Sequence, residues 1–255
     1  MMSITPSALQ SQVQRILWSL RYRGLGVTAL SCLANLCSWT GKQWYWQYKE
    51  HQFDRRHRVD TSGLIPIESL DVRAEDRDRG WGYMATQPEW FHIVLSQLAI
   101  DYERYVFVDF GSGKGRALLL ASTLPFKEVI GVEFCDALHR IAQTNIDAWQ
   151  QSAPPRCKLR SISADATTFA IPPEPAVLYF YNPFKESVMR EVVANIESSH
   201  RHNPRHLILV YANPTCETVL EEAAWLNKLA EIEGEPQVVV YEAVSDQQSA
   251  FNMDH

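Results

Sequence analysis

A chain of 255 residues with 46% hydrophobic and 21% charged side chains is sized for one soluble α/β core and a modest appendage. Its formal net charge of -6 argues against wrapping nucleic acid by bulk charge and leaves only a local basic groove open to that use. Cys32, Cys37, Cys135, Cys157 and Cys216 are scattered, odd in number and without metal-ligand spacing, which reads as a reducing, cytoplasmic setting and no metal site.

Residues 1–80 read as a helical and loop extension, 81–245 as the main domain and 246–255 as a polar tail. Within the first part, Val13, Leu17 and Leu20 fall on one side of a candidate helix, and the stretch 24–41 carries no charge. A pair of helices packed on the domain or on a partner is the first expectation. A weak membrane-surface contact is the alternative, opposed by Ser31, Asn35, Ser38 and Thr40, since a spanning helix needs about 20 mostly apolar residues. From His51 to Gly82 arginines and aspartates alternate in a segment broken by Gly63, Pro66 and Gly80. It reads as a solvated loop, or as a lid, because long loops in compact domains are often functional. Trp81 and Tyr83, beside Gly80 and Gly82, suit closure over a flat or cationic group, so Tyr83 is a candidate catalytic residue. Pro88 then opens a helix that places Phe91, Val94, Leu95 and Leu98 on one face.

The run Tyr105-Val106-Phe107-Val108-Asp109 has the short, β-branched and aromatic character of a buried parallel strand. Gly111, Gly113 and Gly115 follow at alternate positions, where the backbone must turn sharply and approach a ligand closely. A P-loop would need a hydroxyl after Gly113-Lys114, and Gly115 stands there; a nicotinamide loop would need a glycine where Arg116 stands. Asp109 before the glycines suits a cationic ligand better than a phosphate.

The downstream chain repeats one pattern. Glu128 to Glu133 is a strand ending in a carboxylate, near the spacing of about 20 residues at which α/β nucleotide folds put an acid on a ribose hydroxyl pair. Asp136 starts a helix with Leu138, Ile141, Ala142, Asn145, Ile146 and Trp149 at helical spacing. Lys158 to Ser163 is a third strand leading to Asp165-Ala166, and Ala176 to Phe180 a fourth leading to Tyr181-Asn182-Pro183-Phe184. A helix over 185–199, a strand over 206–211, a helix over 217–224 and two final strands, 226–232 and 237–243, complete the chain. Parallel strands joined by right-handed crossovers bring all four turn residues to one rim.

Asp109-Phe110-Gly111-Ser112-Gly113-Lys114-Gly115 resembles the first motif of class I S-adenosylmethionine-dependent methyltransferases, and the strand spacings match that family from about Trp81 to Ala243. The resemblance implies a Rossmann-like seven-stranded sheet with helices on both faces and a final antiparallel pair. It also implies S-adenosylmethionine as cofactor, with Asp109, Gly111, Ser112, Gly113 and Gly115 at its methionine end, Glu133 and Phe134 at the ribose, and Asp165 and Ala166 at the adenine. Asn182-Pro183-Phe184 is similar to the Asn-Pro-Pro-aromatic segment of N-methyltransferases, which implies these three as catalytic residues around a nitrogen acceptor. One proline stands here where that pattern has two, so a lysine-type amine fits as well as a planar one. The acceptor itself, whether protein, RNA or small molecule, is left open. So is a non-catalytic, cofactor-binding scaffold on the same fold.

Overall fold

The computed structural model describes residues 51–72, 77–152, 156–234 and 236–244, so the expectations for the N-terminal helices, for any membrane-surface contact there and for the 246–255 tail lie outside the described residues. The chain divides into two units between Lys49 and Glu50, and the second contains everything described below.

A short antiparallel pair comes first, β1 (Leu64–Ile65) with β2 (Tyr83–Met84), followed by helix α1 (Pro88–Ser96). The main sheet then begins with β3 (Val106–Phe110). Helix α2 (Arg116–Ala121), strand β4 (Glu128–Glu133), helix α3 (Asp136–Ser152) and strand β5 (Lys158–Ser163) carry it to one edge. Strand β6 (Ala176–Tyr181), helix α4 (Glu186–His202), strand β7 (Leu207–Ala212) and helix α5 (Glu217–Glu221) carry it the other way, and β8 (Leu226–Ile232) and β9 (Val238–Ala243) close it. The seven strands lie in the order β5-β4-β3-β6-β7-β9-β8. The first five are parallel, and β9 runs antiparallel between β7 and β8.

This is the doubly wound sheet expected from the sequence, and its energetics explain the near-continuous apolar runs. In β3, Val106, Val108 and Phe110 face one core with β6, β7 and α4, while Phe107 faces the other with α1, α2 and α3. A strand covered on both faces has no position at which water would tolerate alternation with polar side chains. The strand order reverses between β3 and β6, which opens a crevice at their carboxyl ends, the usual ligand position in open α/β sheets.

Residues 51–72, which the sequence groups with an extension, are built into this unit, and Leu70 and Val72 belong to the apolar cluster around Tyr83. Residues 51–57 are helical, and Phe53 stacks on Trp149 of α3 with ring centroids 6.1 Å apart. A helix with a single large apolar residue and many charges gives no amphipathic stripe to read. His57 also meets Trp149, at 4.7 Å between ring centroids, and ion pairing with the core, described below, adds to these contacts. The helix from 217 also stops earlier than the sequence suggests, at Glu221, and Ile141 of α3 is only half-buried.

Candidate active site

The glycine-rich loop adopts backbone angles that explain its composition. Gly111, Gly113 and Gly115 have φ of 73°, 55° and 85°, and Gly115 is the left-handed N-cap of α2. Side chains also crowd the first two: a Cβ on Gly111 would come 2.4 Å from Pro183 Cβ, and one on Gly113 would come 2.3 Å from the Tyr83 ring. Pro183 and Tyr83, both singled out from sequence, therefore press directly on the loop.

Asp109 and Glu133 sit at the ends of adjacent strands, 4% and 3% exposed. Burial, and then the neighbouring charge of Glu133, push the Asp109 carboxyl well above its ordinary value, and it accepts no hydrogen bond from any described residue. Glu133 is also raised by burial, with partial relief from backbone amides. Its Oε2 accepts from the Gly113 amide at 2.8 Å and its Oε1 from the Cys135 amide at 2.9 Å. Glu133 thus braces the loop, with further lone pairs available to a ligand. The two acids are chemically alike and oppositely situated: one is held by its own loop, the other lines the crevice without a hydrogen-bond donor among the described residues.

Two adjoining cavities meet here. The larger, about 480 Å³, is lined by Phe134, Ser163, Ala164, Asp165, Ala166 and Arg79 among others, and the smaller, about 60 Å³, by Asp109, Ser112, Gly113, Glu133, Tyr83 and Tyr181 among others. Gly111, Phe134 and Phe184 line both. The larger volume is in the range of small-molecule sites, about 300–1,000 Å³. Asp165 lies on its rim. Its Oδ1 accepts from the amide and hydroxyl of Thr167 at 2.9 and 2.7 Å, and its Oδ2 faces Arg79 at 3.4 Å. Partial burial pushes this carboxyl up, but the Thr167 hydrogen bonds and the Arg79 charge outweigh it and hold the group below its ordinary range. The Ser112 hydroxyl is buried against Gly131 and finds no partner among the described residues.

Residues 79–81 clip onto 183–185. The Trp81 amide donates to the Pro183 carbonyl at 3.2 Å, the Trp81 indole to the Phe184 carbonyl at 3.2 Å, and the Lys185 amide to the Arg79 carbonyl at 3.1 Å. The end of the segment read as a loop or lid is therefore a strand-like clasp at the rim, with Gly80 bridged to Phe184.

Asn182 stands apart from the other expected catalytic residues. It lines neither cavity; its backbone is left-handed, with φ of 43°, and its Oδ1 accepts from Thr215 Oγ1 at 2.6 Å and from the Tyr211 hydroxyl at 3.2 Å. Both lone pairs of the carboxamide oxygen are thus engaged by hydroxyls. Asn182 fixes the turn that presents Pro183 and Phe184. Asn182→Ala is accordingly expected to cost about 1–3 kcal/mol through the left-handed backbone and the lost hydrogen bond from the part-buried Tyr211 hydroxyl. Asn182→Gly, which relieves only the backbone, should cost measurably less. Thermal denaturation of the two variants reads the difference.

Sequence reading missed the charges beneath the loop. Lys114 Nζ donates to Asp60 Oδ1 at 2.8 Å and to the Ser62 carbonyl at 3.1 Å, and Arg116 Nη2 donates to Asp54 Oδ1 at 3.0 Å. Asn145 of α3 joins them, its Nδ2 donating to the Lys114 and Asp60 carbonyls at 2.9 and 2.8 Å. The available signal was a cation in a position that must be buried: Arg116 follows three glycines and opens an apolar helix, so a carboxylate had to come from elsewhere.

The residues present fit a cofactor with a cationic end. Asp109 offers a buried carboxylate, with no partner among the described residues, to the smaller cavity. The larger cavity has room, aromatic Phe134 and the Ala164–Ala166 backbone for a nucleoside. No model of a known family matches the chain, and no curated protein matches it. Among solved structures, it resembles the ribosomal protein L11 methylase of Lactobacillus delbrueckii subsp. bulgaricus, at 12% identity and TM-score 0.45 over 61% of this chain and 77% of that one. It resembles the glycopeptide N-methyltransferase MtfA complexed with sinefungin, at 13% identity and TM-score 0.46 over 64% and 95%. It also resembles the precorrin-6y C5,15-methyltransferase of Geobacter metallireducens GS-15, at 14% identity and TM-score 0.45 over 63% and 89%. By its own strand order, with the antiparallel β9 inserted between β7 and β8, this chain has the class I S-adenosylmethionine-dependent methyltransferase fold.

Proposed function

We propose that this protein is an S-adenosylmethionine-dependent methyltransferase. The observation that carries the reading is Asp109: a carboxyl buried inside the crevice ionises readily only against a cation, and no described residue supplies one. When bound, the cofactor would supply an already activated methyl group on a sulfonium, so the protein's work is chiefly to position an acceptor and exclude water. Asp109 and the Gly111–Gly113 backbone would hold the methionine end. Glu133 and Phe134 would face the ribose, and Asp165 and Ala166 the adenine.

A nitrogen acceptor is the narrower reading. Pro183 and Phe184 line the cavity beside Asp109, and Phe184 lines both cavities, so a flat or extended amine could lie against them. Asn182 would serve that acceptor through the turn it fixes, without touching it.

Isothermal calorimetry should show binding of S-adenosylhomocysteine or sinefungin and none of NAD. A preference for NAD would overturn the assignment. Incubation with methyl-labelled S-adenosylmethionine in cell extract, fractionated into protein, RNA and small molecules, then identifies the acceptor class.

A further inference from the structure

We propose that Arg116 and Asp54 are positioning residues for the cofactor site, acting through Thr61 on the ring of Tyr83; this rests on the methyltransferase reading above. The connection can be followed atom by atom. Arg116, 1% exposed, donates from Nη2 to Asp54 Oδ1 and from Nε to Thr61 Oγ1 at 2.7 Å. Asp54 Oδ2 accepts from the amides of Thr61 and Ser62 at 2.9 and 2.6 Å, and its Oδ1 also accepts from Thr61 Oγ1 at 2.6 Å. One carboxylate therefore fixes the peptide whose carbonyl, that of Thr61, accepts the Tyr83 hydroxyl at 2.5 Å. The other end of that tyrosine is the ring that lies on Gly113, and Gly113 donates its amide to Glu133.

Each link is suited to precision rather than to mere adhesion. The guanidinium fork meets two acceptors at once, and its face lies 4.8 Å from the Phe53 ring centroid, so its orientation is determined as well as its location. Asp54 and Thr61 are almost inaccessible to water, where a charge-assisted network has no competing solvent to loosen it. Burial pushes the Asp54 carboxyl up, but hydrogen bonds from Thr61 and Ser62 and the charge of Arg116 more than offset this and hold it below its ordinary range. The ring of Tyr83 thereby has one resting place, on the loop that would carry the cofactor. A segment distant in sequence from the sheet strands sets the width of the crevice.

The test is a double-mutant cycle on S-adenosylhomocysteine affinity in the full chain, using Asp54→Asn and Tyr83→Phe, with melting temperatures measured in parallel without ligand. Each single variant is expected to raise Kd at least tenfold at temperatures well below its unfolding midpoint. The double variant should be little worse than either, because both act through the same Thr61 carbonyl. Arg116→Lys, which keeps the charge and loses the fork, should also weaken binding. Singles that bind within twofold of wild type while melting earlier, or losses that simply multiply, overturn the inference and leave the cluster a purely structural one. If Asp54→Asn does not fold, Tyr83→Phe, which removes one oxygen atom, decides alone. Wild-type protein that fails to bind S-adenosylhomocysteine overturns the cofactor reading, and this inference with it.

Discussion

Asp109→Asn is expected to make the ligand-free protein more stable and the cofactor bind at least tenfold more weakly. The buried carboxylate has no partner among the described residues, and an ionised group in that position costs several kcal/mol after relaxation, whereas the isosteric amide carries no charge. Recovering even about 1–2 kcal/mol would raise the melting temperature by roughly 2–8 °C in a domain of this size. The sign of the pH dependence follows from the direction of the shift. The folded-state value lies above the ordinary 3.8, so the stability linked to protonating Asp109 is fully present below that value and lost as pH rises through the raised one. The gap in melting temperature between variant and wild type should therefore widen from acid toward neutral pH. Cofactor affinity should follow the opposite course in wild type, strengthening as Asp109 ionises, and should vary less with pH in the variant, where Glu133 is the remaining raised acid of the crevice. Scanning fluorimetry and calorimetry across the same buffers would measure both. A variant that melts lower than wild type at neutral pH would mean that the carboxylate already has its cation.

Gly113→Ala should be among the most damaging single-methyl additions available in this protein. The residue sits at φ of 55°, and the added methyl would lie 2.3 Å from Tyr83 Cδ2. The left-handed backbone costs about 1–2 kcal/mol and overpacking about 1–3 kcal/mol more. Gly63 provides the control, since its φ is 93° but a Cβ there meets nothing within 4 Å. Gly63→Ala should lose only the backbone share, and cofactor binding should survive it. Chemical denaturation of the two variants, with S-adenosylhomocysteine affinity alongside, separates the steric contribution from the conformational one.

The parts of this protein that could be read in advance are those in which one residue type has one physical use. Apolar runs such as Ala176–Phe180 had to be strands buried on both faces, and they are. The spaced glycines had to bear positive φ, and Gly111, Gly113 and Gly115 do. Illegible positions were those with several possible partners. Asn182 has the right chemistry to hold an amine and equally to accept from two hydroxyls, and only the three-dimensional placement of Tyr211 and Thr215 shows the second. Glu133 could grip a ribose or its own loop, and the amides of Gly113 and Cys135 take part of it. The arginines and aspartates of 51–82 looked interchangeable in sequence, yet Asp54 is buried and Asp78 is not, because a single cation, Arg116, selected one of them.

That selection joins residues 62 positions apart, and it bears on the order in which the molecule assembles. Arg116 opens α2, whose remaining residues are all buried, so the helix cannot settle against the sheet without taking a guanidinium out of water. Until residues 54–62 arrive, that step leaves a desolvated charge uncompensated. Closing a loop of this length costs entropy before any contact rewards it. The crevice is therefore expected to mature last, so that refolding followed by a reporter near Gly113 should lag behind refolding followed by the sheet.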